Sequence, residues 1–117
     1  MPGLKIKTGD IYLVRFHPAV GSELHKYRPA VIVSAKISRI DHRFSLIAPF
    51  TTSTENYNEK YELLIKNNSA LEKDSVLLCW YLLTIDSRRL ITKLGCLSPK
   101  TISHFKKVIR QLMTQDE

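Results

Sequence analysis

The sequence predicts a mainly β (α+β) domain, a small, partly open barrel with one C-terminal helix, and three observations carry that reading. Short runs rich in β-branched and aromatic residues recur between turn signals, as strands do. One of them, AVIVS (30–34), is apolar on both faces, the mark of a central strand. After Ser98-Pro99 the apolar residues switch to helical spacing. With 117 residues the chain is large enough to bury a core but too small for two domains, so 1–117 is read as a single domain.

The elements follow in order. Thr8-Gly9-Asp10 is a turn, and IYLVRF (11–16) is the first strand. His17-Pro18 ends it, because a proline cannot donate to a ladder. AVIVS is the second strand and FSLIAPF (44–50) the third, with Pro49 marking an edge, a bulge or an exit. TTSTENYNEK (51–60) reads as a loop on composition. YELLI (61–65) is a strand, followed by a turn around Lys66-Asn67-Asn68-Ser69. The long run VLLCWYLLTI (76–85) suits helix or strand by length; its Val, Cys, Trp, Tyr, Thr and Ile tip it towards one continuous strand. Residues 86–89 form a polar turn, and LITKLGCL (90–97) is the last strand. The closing helix has Ser98 at its N-cap, Pro99 at its first position, and Ile102, Phe105, Ile109 and Leu112 on one stripe. Lys106, Lys107 and Arg110 lie opposite.

The formal net charge is +7, and it is unevenly spread. Residues 1–45 carry eight Lys/Arg against three acids and 86–117 seven against three, whereas 53–75 carry three against five. Two basic ends flanking an acidic middle favour a polyanionic partner. Cys79 and Cys96 show no metal spacing and sit in apolar stretches, so both are expected reduced and buried. MPGLKIKTGD lacks the apolar core of a signal peptide, and the longest apolar run is too short to span a bilayer. A cytoplasmic protein with no membrane partner is expected.

Nucleotide-, zinc- and serine-hydrolase chemistries lack their motifs: there is no P-loop, dinucleotide fingerprint, HExxH or G-x-S-x-G. His17, His25, His42 and His104 show no ligand spacing, so neither a metal nor another cofactor is expected. Two stretches remain. Pro29 fixes its own φ and pushes Arg28 towards an extended backbone, leaving the guanidinium free to project. A planar five-donor fork held this way suits a phosphate; pairing with Glu23 across the loop is the plainer alternative. Thr51, Thr52, Ser53 and Thr54 place four hydroxyls directly after a strand exit, suited to phosphate contacts or simply to a loop.

GDIYLVRFHPAVGSELHKYRPAVIVS (9–34), APFTTS (48–53) and DSVLLCWYLLTIDSRRLITKLGCLS (74–98) together resemble the MazF/PemK toxins, bacterial endoribonucleases of toxin–antitoxin pairs. The resemblance implies an SH3-like, CcdB/PemK-like barrel of five to seven strands with a C-terminal helix, assembled as a homodimer. It implies metal-independent cleavage of single-stranded RNA at short sequences by the RNA's own 2′-hydroxyl, and inhibition by a small acidic antitoxin. Arg28 aligns with the family's catalytic arginine and Thr51 with its catalytic threonine; Gly21, Ser22 and Glu23 align with the loop over the RNA groove. His25 and Lys26 of the same basic flap, with Thr52 and Ser53, extend the expected RNA-binding set. The chain departs from the family at Leu24, Leu83, Trp80 and Tyr81. Position 80 carries an acid proposed as the base in the plasmid-borne branch; here either His25, Glu23 or His17 takes that role, or activity is reduced or lost. Trp80 and Tyr81 suit stacking on unpaired bases, and the plainer alternative is core packing, expected of at least one because alternate strand residues face opposite ways.

Overall fold

Apolar side chains on successive residues face opposite ways along a strand, so runs such as AVIVS bury both faces of one sheet. The structure, a computed structural model, describes residues 5–16, 27–35 and 43–114. These residues form β1 (Asp10–Arg15), β2 (Tyr27–Ser34), β3 (Phe44–Thr51), β4 (Glu62–Ile65), β5 (Ser75–Leu78), β6 (Leu83–Asp86), β7 (Leu90–Cys96) and α1 (Pro99–Thr114). Every pairing is antiparallel, in the order β4-β5-β3-β2-β1-β7, with β6 also on β3.

The two faces carry two cores. Ile11, Val31, Ala48 and Phe50 join Leu63, Leu77, Leu97, Phe105 and Val108 in the first, beneath α1. Tyr12, Val14, Phe16, Ala30, Ile32 and Ile47 form the second, closed by Leu83, Ile85 and Leu90. β2 feeds both, as a central strand must. The helix begins where expected: Ser98 Oγ accepts the Thr101 N–H at 3.2 Å, leaving one fewer unpaired amide in the first turn. Its buried residues are Phe105 and Val108, flanked by the partly buried Ile102 and Ile109. At Gly9 the backbone takes φ +94°, and a Cβ there would lie 2.6 Å from the Ile102 side chain. The glycine thus permits both the turn and the close approach of α1.

Two expectations need correction. The run 76–85 is not one strand. β3 pairs Phe50 with Leu77 on β5; continued, that register would set Trp80 opposite Ile47, but Ile47 faces Leu83 of β6. Three residues are therefore extruded, and residues 79–82 form an arch, with the Tyr81 N–H donating to the Leu78 carbonyl at 3.1 Å. Pro49 sits where β3 changes partner from β6 to β5, a point at which the ladder is already interrupted.

The second correction concerns the thiols. Cys79 is buried but Cys96 is exposed, because β7 lies at the end of the sheet order and turns most of its residues to water. Burial, and secondarily the Glu62 carboxylate, push the Cys79 thiol up to about 12. It stays protonated at neutral pH and is a poor nucleophile. Iodoacetamide at neutral pH is expected to alkylate Cys96 alone in the folded protein and both cysteines in denaturant, as peptide mass mapping would show.

Candidate functional site

Period-2 geometry places the two expected phosphate ligands on one face. β2 and β3 pair Ala30 with Pro49, and continuing that register by two residues sets Arg28 opposite Thr51. Directly opposed residues project to the same side; here it is the side of the second core, since Arg28 also faces Val14 of β1. Both line a groove of about 210 Å³ whose other walls are Phe16, Pro49, Phe50, Leu78, Tyr81 and Leu83. Arg28 is half-buried, and its Nη2–H donates to the Phe50 carbonyl at 3.5 Å. A bond that long constrains the guanidinium only weakly and leaves most of its fork for a ligand. Apolar walls lower the local dielectric, which strengthens an arginine's attraction for an anion in the groove.

Thr51 Oγ1 accepts the Ser53 N–H at 3.2 Å. An oxygen occupied as an acceptor directs its own O–H outward, as a donor. The arrangement suits Thr51 to donating a hydrogen bond rather than to accepting a proton. Thr52 and Ser53 are exposed and do not line this groove; Ser53 acts on the site through its backbone.

The extruded arch supplies the third wall. Cys79 and Leu82 turn inward to the first core, which throws Trp80 and Tyr81 outward. They are 49% and 41% exposed, so the expectation that one would be core is overturned; the register shift, not strand alternation, decides their direction. Their rings stack with centroids 5.4 Å apart and planes at 20°. Trp80 Nε1–H donates to Glu62 Oε2 at 2.7 Å, while Glu62 Oε1 accepts the Asn58 N–H at 2.8 Å. Glu62 escaped the sequence reading, since nothing local links it to a tryptophan 18 positions later.

Gly21, Ser22, Glu23, Leu24, His25 and Lys26 lie outside the described residues, as do His17 and His42. The groove walls contain no carboxylate and no imidazole among the described residues. His104 is exposed on α1 and lines a separate surface hollow with Tyr57, Glu59, Glu62 and Thr101. No three His, Cys, Asp or Glu side chains converge as metal ligands among the described residues. No helix among them is long and apolar enough to cross a membrane.

Residues 7–113 match the family model described as the PemK-like, MazF-like toxin of type II toxin–antitoxin systems. The chain is 32% identical to an endoribonuclease MazF of Staphylococcus saprophyticus over an alignment of 118 positions, gaps included, that covers 89% of this chain and 88% of that protein. Among solved structures it superposes on the Mycobacterium tuberculosis toxin MazF-mt6 with a TM-score of 0.70 and 21% identity, covering 92% of this chain and 99% of that one. A mycobacterial endoribonuclease in complex with its cognate antitoxin gives 0.71 at 14% identity, covering 97% and 99%. The seven-stranded antiparallel sheet with its C-terminal helix is the fold these toxins share.

Proposed function

Because the chain belongs to the PemK-like, MazF-like toxins of type II toxin–antitoxin systems, we propose that it is an endoribonuclease that cuts single-stranded RNA at short sequences without a metal. The observation that carries this reading is the convergence of Arg28 and Thr51 on one groove. In the proposed reaction the 2′-oxygen attacks phosphorus and the bond to the 5′-oxygen breaks. The products are a 2′,3′-cyclic phosphate and a 5′-hydroxyl. The 2′-proton passes to a base, and the departing oxygen takes up a proton. Arg28 and Thr51 donate to the non-bridging oxygens, whose charge grows in the transition state, and Arg28 also faces the leaving oxygen. The bases to test are Glu23, His25 and His17, in the segment leading into β2.

A planar fork is the part of this mechanism that a point charge cannot reproduce. Arg28→Lys is therefore expected to retain RNA binding but lose most cleavage, measured as single-turnover rate beside equilibrium affinity. Near-normal cleavage by that variant counts against the phosphate clamp.

The same groove and the excess of basic charge suit an acidic antitoxin segment competing with RNA, and exposed Ile91 and Leu94 on β7 offer apolar surface for a homodimer. A second reading rests on the lack of a carboxylate or imidazole among the described groove residues: a weakened homologue that binds RNA or antitoxin without cutting. Long RNA incubated with the protein in EDTA separates the two. Cyclic-phosphate ends support the enzyme, and intact RNA under tight binding supports the binder.

A further inference from the structure

We infer that Trp80 and Tyr81 form a platform on which one unpaired base of the RNA stacks beside the phosphate site, and that Glu62 is the positioning residue that fixes the indole. The inference rests on the nucleic-acid reading of the Arg28–Thr51 groove. Tyr81 is itself a wall of that groove, and Trp80 stacks on it, so the aromatic surface runs without a break from the phosphate site to the rim. One face of the indole is covered by Tyr81; half of the residue is still open to solvent.

An exposed aromatic pair ordinarily samples several rotamers. Here the indole N–H is held at 2.7 Å by one carboxylate oxygen, and the other oxygen is held by the Asn58 amide at the head of β4. The carboxylate thus ties the arch to the β4 hairpin and presets the ring plane, so less rotamer freedom is lost when a base arrives. Stacking tolerates any base, because every base has a π-face. The platform therefore adds affinity and holds the strand in place beside the cut, while direct sequence reading falls to other groups.

Trp80 is the chain's sole tryptophan, so its emission reports on the platform directly. Two dye-labelled octamers serve as probes: a random-sequence 2′-O-methyl RNA pool, whose capped hydroxyls prevent cleavage, and an abasic chain of equal charge. Binding is read by anisotropy and stacking by Trp80 quenching. The expected result is saturable quenching by the pool and none by the bound abasic chain. Trp80→Ala should weaken the pool roughly 5- to 150-fold, the equivalent of about 1–3 kcal/mol for one stacked base, and leave the abasic chain unchanged.

Equal quenching by both probes, or equal weakening of both by Trp80→Ala, overturns the platform while leaving the nucleic-acid reading intact. Failure of both probes to bind overturns that reading, and the platform with it. For Glu62, the effect of Glu62→Ala on pool affinity is compared in the native and Trp80→Phe backgrounds, since phenylalanine stacks without needing an acceptor. A loss confined to the native background supports positioning; an equal loss in both shows a merely structural role and overturns it.

Discussion

Arg28→Ala is expected to slow RNA cleavage by roughly 10²- to 10³-fold, the effect of removing one preorganised donor from a developing oxyanion. Single-turnover kinetics in EDTA, with the cyclic-phosphate ends counted, would measure it. The fold should hardly notice. Arg28 is half-buried, and its hydrogen bond to the Phe50 carbonyl is long, so the melting temperature should stay near that of the native protein. Loss of activity without loss of stability separates a phosphate ligand from a strut. If the variant instead cuts at the native rate, the groove between β2 and β3 is not where the phosphate sits.

Phe105→Ala carries the largest expected effect on stability. Phe105 is fully buried, at the centre of the stripe by which α1 covers the first core. Removing a buried phenylalanine costs about 3–5 kcal/mol, since lost transfer energy and a residual cavity add together. Against a total stability of about 5–15 kcal/mol, typical of domains, that is a large fraction. The urea midpoint should fall steeply with little change in slope. A small shift would mean that α1 contributes less to the fold than its burial implies.

Strand positions were legible in the sequence because β-rich runs and turn residues punctuate it, and the start of the closing helix is marked chemically by Ser98 and Pro99. Ser98, Pro99, Ile102, Phe105 and Ile109 all fall as the helical period requires, and Val108 joins them as the third residue after Phe105. Arg28 and Thr51 were recognisable through the joint resemblance of three stretches. The break within 76–85 was not legible. Nothing inside that run signals a break, and what divides it is the partner change along β3, a fact about residues some thirty positions earlier. The exposure of Cys96 escaped for a related reason: apolar sequence neighbours say nothing about whether a strand lies at the end of a sheet. The tie between Glu62 and Trp80 joins two elements across that same sheet and has no local signature.

The arch at 79–82 also separates two kinds of sequence constraint. Its inward residues, Cys79 and Leu82, are bound to the packing of the core, whereas Trp80 and Tyr81 lie outside it, held by each other, by Glu62 and by the groove wall. Substitutions at those two outward positions cost less in folding free energy than those at the two inward ones. The rim of the groove is therefore free to drift while β3 keeps its register with β2. On the proposed reading, such drift changes how tightly a strand is held at the rim while the residues that set the fold stay as they are.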